Sequence, residues 1–176
     1  KQPSGSTGAW YSWRNSRITL MDMDKLRQEI ADDEGVKLNE DGQHIIYLDH
    51  LGLPTCGIGH LIVEGDDEHG QPVGTVVSDE RVRHLFARDC AVMLEDCKVL
   101  YSDFDDLPED CQHIICNMMF NMGRPRLSKF KGMKAGVDAR EWNRAADEMV
   151  DSRWYDQVTN RAKRLVARMR ALQDQA

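Results

Sequence analysis

A chain of 176 residues with 41% apolar residues is long enough for one domain, or for two small lobes sharing a core. No apolar run reaches the ~20 residues that cross a bilayer, and no signal peptide is visible, although the chain starts without Met. Five cysteines (56, 90, 97, 111 and 116) are an odd number with no C-x-x-C pair, which argues against a disulfide framework and against zinc; reduced, core or half-buried thiols are expected. Net charge is −7 but uneven: residues 1–110 hold 10 Lys/Arg against 23 Asp/Glu, and residues 111–176 hold 13 against 7. The basic runs RPRLSKFKGMK (124–134) and RAKRLVARMR (161–170) suit an anionic partner such as a cell-wall glycan, nucleic acid or acidic lipid, and are equally what solvated helix faces look like.

Residues 1–21 read as an arm. KQPSGSTG has linker composition, and AWYSW gathers two Trp and a Tyr, which suits docking on the domain, contact with a sugar ring, or a place in a longer parent chain. From Asp22 to Glu34, Met23, Leu26 and Ile30 recur at helical spacing behind an acidic start, and Gly35 stops the helix. Residues 36–77 predict a small, turn-rich β region. Asp41-Gly42 is a hairpin signal, Gly52, Pro54, Gly57 and Gly59 break the next stretch, LIV (61–63) is a strand, and 64–74 is a polar loop. Ser78 caps a long helix with Asp79 and Glu80 in its first turn, a buried stripe of Val82, Leu85, Phe86, Met93 and Leu94, and an end near Leu100. Further helices are expected at 108–122, about 126–136, 139–151 and 160–172. Pattern alone therefore predicts an α+β fold with a small β-containing lobe (22–77), a connecting helix (78–100) and an all-helical lobe (101–176). Ligands favour the cleft between such lobes.

Glu34 at a helix end and Asp49 at the end of a β run can serve one cleft as an acid/base pair, one carboxyl protonated and the other ionised. Any single one of the 30 acids is more simply a solvated charge. In TCGIGH (55–60), Thr55 offers a hydroxyl that can orient water, or is an ordinary strand residue. Gly57 and Gly59 permit close backbone approach; without a third glycine and a following helix they make no dinucleotide loop. His60 suits catalysis, metal binding or a structural pairing with a carboxylate.

The stretch DEG…YLDHLGLPTCGIGHLI resembles the active-site segment of the T-even phage lysozymes, a glycoside hydrolase family whose pattern is Glu, Asp, a following Thr, then G-I-G-H. NMMFNMG (117–123), EWNRAADEMVDSRWYDQVTNRAKR (141–164) and SDERVRHLFARD (78–89) fit the same family in order, over about residues 23–170. The resemblance implies a lysozyme-like fold with its active site between the lobes. It implies Glu34 as general acid, Asp49 as second carboxylate and Thr55 as the residue holding water. Arg161 matches an Arg near the acid, Asn117 and Gln157 match polar residues of that network, and His60 with Asp89 matches a structural ion pair. The gap between Glu34 and Asp49 is roughly six residues longer than usual in the family, most simply absorbed by a longer hairpin near EDGQHI (40–45).

The expected function is a muramidase that cleaves the β-1,4 bond between N-acetylmuramic acid and N-acetylglucosamine with inversion. No cofactor or metal, peptidoglycan glycan strands as partner, no nucleic acid, no integral membrane segment and a monomer are expected. Synthesis in a host cytoplasm followed by action at the cell wall or periplasm after release by another protein, or association with a virion, is the expected setting. The alternatives are a lytic transglycosylase using Glu34 alone, and a non-catalytic wall-binding or virion module of the same fold.

Overall fold

A computed structural model describes residues 21–176. The expected aromatic arm, with AWYSW, lies outside the described residues. The first helix, α1 (Met23–Glu34), begins where the Asp22 carboxylate accepts the Lys25 N–H at 3.0 Å and buries Leu26 and Ile30. It ends because Gly35, at φ 69°, turns the chain while its N–H bonds the Ala31 carbonyl. Glu34 is thus the last helical residue.

The β region is smaller than its sequence suggests. Strands β1 (Tyr47–Leu48), β2 (Pro54–Cys56) and β3 (His60–Leu61) form an antiparallel sheet in that order, with Tyr47 opposite Thr55 and Cys56 opposite His60. The strand expected over 61–63 stops at Leu61 because the Val63 N–H leaves the ladder for the Asp66 carboxylate at 3.0 Å. Ahead of β1, Leu38 bridges His44 around a turn in which Asn39 Oδ1 accepts the N–H groups of Asp41 and Gln43. Residues after this turn pair with the segment 75–77: Val77 N–H to the His44 carbonyl, and the Ile46 N–H to the Thr75 carbonyl. The segment from Leu38 to Ile46 therefore closes a turn of its own and ties it to the neighbouring backbone.

Helix α2 (Asp79–Leu100) starts at Ser78, whose hydroxyl accepts the Arg81 N–H. Its Val82 and Leu85 complete a small core with Ile46, Cys56, Ile62 and Val77, while Phe86, Cys90, Met93 and Cys97 join a much larger core. Helix α3 (Glu109–Met122) runs through that larger core, packed on α1, α2 and the helix over 159–171 and buried along most of its length.

The single helix expected at 126–136 is two: α4 (Arg124–Leu127) and α5 (Lys131–Asp138). Between them Phe130 packs edge-on to Trp154, with ring centroids 6.3 Å apart. Helix α6 (Trp142–Val150) crosses α5 closely at Gly136, and α7 (Arg153–Gln157), unanticipated from sequence, is capped by the Ser152 hydroxyl. Helix α8 (Thr159–Ala171) closes the core. All five cysteines are free and buried, rather than half-buried in part. Among the described residues no helix is long and apolar enough to cross a membrane.

Candidate active site

Glu34 is held from two sides. Its Oε1 accepts from Arg161 Nη1, on α8, at 2.9 Å. On the other side lies the backbone of Gly59: a Cβ there would stand 2.8 Å from Glu34 Oε2. With φ at 61°, Gly59 both makes the turn into β3 and leaves room for the carboxyl. Gly57 serves differently. A Cβ at that position would meet Val82 at 3.1 Å, so it admits the strand to α2 rather than to the site.

Arg161 is itself fixed. It is buried, its Nε donates to Asn117 Oδ1 at 2.6 Å, and its Nη2 donates to the Asn117 carbonyl at 3.3 Å. Asn117, fully buried on α3, donates its Nδ2 to Asp33 Oδ2 at 2.8 Å. Asp33 lies 3.7 Å from Arg161 Nε and also pairs with Arg164. The ladder continues from α1 to α8 through Glu29 and Arg168, which in turn bonds Asp110 at 2.7 Å. Glu34, Arg161 and Asn117 are thus brought into one chain of contacts, as the sequence suggested. Asp33 and Arg164 belong to the same chain and were missed. Their signal was present: Glu29 and Asp33 are four apart on α1, and Arg161, Arg164 and Arg168 fall three and four apart on α8, two helix faces of opposite sign.

Asp49 sits at the turn joining β1 and β2. Its Oδ1 accepts the N–H groups of Leu51 and Leu53 at 2.8 and 2.9 Å. The Leu53 N–H, helped by Leu51 and the charge of His50, holds this carboxyl below its ordinary range against a smaller effect of burial. The carbonyl of the same Leu53 accepts the hydroxyl of Thr55 at 3.0 Å, so one backbone residue fixes both side chains. Thr55 is buried on β2. Tyr47, directly across from it, was also missed. Burial raises its phenol's pKa, and the charges of Glu34 and Asp49 raise it further, so both carboxylates act electrostatically on one phenol.

Gln157 lies apart from these contacts. Its Oε1 accepts from Arg126 on α4 at 3.1 Å, and it lines a cavity of about 470 Å³ with Phe130, Met133 and Trp154. A second cavity, about 350 Å³, runs from Gly59 and Leu61 along Met93 of α2 to Met119 and Phe120 of α3. It takes in Gly59, whose backbone borders the Glu34 carboxyl.

His60 is buried with both ring nitrogens occupied: Nδ1 contacts Asp89 at 2.6 Å and Nε2 contacts Asp66 at 2.8 Å. The Asp89 bond, opposed by burial and aided by Asp66, raises the pKa of the ring. Burial works against ionisation of Asp66, yet the Val63 N–H, His60 and Arg88 hold its carboxyl well below the usual range. The Asp89 partner was expected; the Asp66–Arg88 half of the clamp was not. Among the described residues no group of three His, Cys, Asp or Glu side chains is placed to hold a metal ion.

A family model described as phage lysozyme matches residues 33–171. The chain belongs to the phage lysozyme family, and its mostly helical fold with a small antiparallel sheet is lysozyme-like. It is 29% identical to a protein named probable T4-type lysozyme 2 of Dictyostelium discoideum, over 81% of this chain and 91% of that one. It is 27% identical to probable T4-type lysozyme 1 of the same organism, over 77% of this chain and 87% of that one. A third similarity, 28% identical over 76% of this chain, is to the pre-baseplate central spike protein Gp5 of Enterobacteria phage T4, of which the match covers only 25%.

Proposed function

We infer that the protein is a glycoside hydrolase, a muramidase that cuts the β-1,4 bond between N-acetylmuramic acid and N-acetylglucosamine in peptidoglycan. The observation that carries this reading is the seat of Glu34, between the Gly59 backbone and Arg161, with Asp49 on the neighbouring hairpin. The cleft lies between a small lobe built around the sheet and the helical lobe, joined by α2, within a domain over 22–176 that follows an arm over 1–21.

Glu34 gives its proton to the glycosidic oxygen as the bond breaks. Asp49, kept ionised by the Leu51 and Leu53 N–H groups, supports the positive charge that develops on the sugar and helps activate water. Thr55 donates to the Leu53 carbonyl, which leaves its oxygen as an acceptor to orient that water. Asn117 holds Arg161 in place, while Gln157, bonded to Arg126, stands outside this arrangement. Attack from the face opposite the leaving group inverts the anomeric centre and needs carboxyls about 6.5–9.5 Å apart. The similarity to a spike protein makes a virion-borne setting as fitting as a free lytic enzyme acting at the wall.

The test is clearing of outer-membrane-permeabilised Gram-negative cells by the protein and by Glu34→Gln. Clearing by the first alone is expected, with product masses one water heavier than anhydro-sugars. Equal clearing by both removes Glu34 from the acid role. Anhydro products point to the transglycosylase.

A further inference from the structure

Glu34 faces a contradiction. A general acid must carry a proton, and an arginine in contact with it favours the ionised form. The buried network offers a resolution. Arg161 has two carboxylate partners, not one: Glu34 at 2.9 Å and Asp33 at 3.7 Å. The Asp33 side chain is 4% exposed, Glu34 18% and Arg161 9%, so solvent screens this triad weakly. Asn117 fixes the geometry, since it accepts from Arg161 and donates to Asp33 through the two ends of one amide. The guanidinium cannot swing wholly onto Glu34 without breaking that bridge.

We propose that Asp33 is a positioning residue that shares the Arg161 cation with Glu34 and keeps the Glu34 proton available for catalysis. The inference rests on Glu34 being the acid. Two effects act in the same direction. Asp33 draws part of the guanidinium charge, and its own negative charge, one residue away, opposes a second negative charge on Glu34. Arg164, paired with Asp33 from the solvent side, works the other way by partly neutralising it. From the hairpin side, the Tyr47 phenol lies within the electrostatic reach of both Glu34 and Asp49. Gly59 presents only backbone.

The experiment follows the side-chain carboxyl carbon of Glu34 by NMR through a pH titration, with Glu34→Gln used to assign the signal. Asp33→Asn is expected to move the Glu34 midpoint down by about one pH unit, a tenfold loss of the protonated form at a fixed pH. Arg164→Gln is expected to move it up by a smaller amount. Lytic rates follow: Asp33→Asn loses up to about tenfold more at pH 7 than at pH 5. A merely structural role moves neither midpoint, or moves both the same way, and either result overturns the proposal. If Asp33→Asn does not fold, Arg164→Gln decides alone, because Arg164 is 57% exposed and its loss is mild for folding; no upward shift overturns the proposal. Midpoints that move as expected in a protein without lytic activity would sink the muramidase reading and leave the charge-sharing intact.

Discussion

The helical region and the sheet region are held together by different forces. Residues of α3, α5, α6 and α8 interlock in one large apolar core, and α5 meets α6 so closely that a Cβ on Gly136 would stand 2.7 Å from the backbone nitrogen of Ala145. The sheet region has a core of six buried residues and is otherwise tied by polar contacts: the His60 clamp, the Arg81–Glu68 pair at 2.7 Å, and side-chain oxygens that close its turns. It leaves Leu48, Leu51, Leu53 and Leu61 largely exposed. Damage to the first region should therefore appear as lost stability, and damage to the second as misplaced Glu34, Asp49 and Thr55 side chains in a protein that still folds.

Two glycines put that contrast to the hardest test. At Gly136→Ala the new methyl meets backbone atoms of Ala145, which have no rotamer to retreat into, so the helices must separate. A loss of about 3 kcal/mol is expected, read as a lower urea midpoint with lytic activity per folded molecule unchanged. A wild-type midpoint would show that the crossing is looser than drawn. At Gly59→Ala the methyl meets the end of the flexible Glu34 side chain, and the positive φ adds strain of about 1 kcal/mol. Here activity should fall by about 10²-fold, because the Glu34 carboxyl, the proposed acid, is displaced by something near an ångström, while stability drops only slightly. Parallel losses in both properties at both sites would erase the distinction between the regions.

Sequence was most legible where one local signal decided the outcome. Ser78 as a cap, Gly35 as a stop and the Asp41-Gly42 turn need only a few neighbouring residues to act, and each lies where expected. The break between α4 and α5 was illegible because Phe130 leaves the helical path to pack on Trp154, a partner 24 residues on. The site divides the same way. Motif positions pointed to Glu34, Arg161 and Asn117, which do meet. Asp33 next to Glu34 was passed over because a second acid in DDE looks like solvent-facing charge until α8 is seen to cover it. Asp66 hid in a polar loop whose fold depends on His60 and Arg88 reaching it.

The clamp itself should cost less to break than the helix crossing. Asp66→Asn removes one partner of a buried imidazole and one anchor of the Val63 turn, and about 1–2 kcal/mol should be lost. Arg88→Gln removes only the half-exposed end of the network, 46% accessible, and should stay within about 0.5 kcal/mol. Urea midpoints for the two variants in the reverse order would place the strength of the clamp at its solvent end.

The smallest effect separates the regions by the sign of their pH response. His60 belongs to the clamp and has a raised pKa, while His113, 1% exposed on α3, has no hydrogen-bond partner on either ring nitrogen among the described residues. Burial lowers the pKa of His113, outweighing Glu29 and Glu109, the latter 3.6 Å away, while Arg168 and Lys25 lower it further. As pH falls below about 6.5, the unfolded chain therefore takes up a proton that the folded His113 refuses, and stability is lost toward acid. His60 behaves oppositely: its contribution is complete below about 6.5 and fades as pH rises through its elevated folded value. His113→Leu should thus gain on wild type between pH 8 and pH 5. His60→Gln should lose on wild type over the same interval, because the clamp it lacks is strongest in acid. Unfolding free energies of the three proteins at pH 5, 6.5 and 8 read both trends at once. Parallel curves would mean that the two rings titrate in the folded protein as they do in the unfolded chain, and that neither environment differs from water in the way their partners, or lack of them, require.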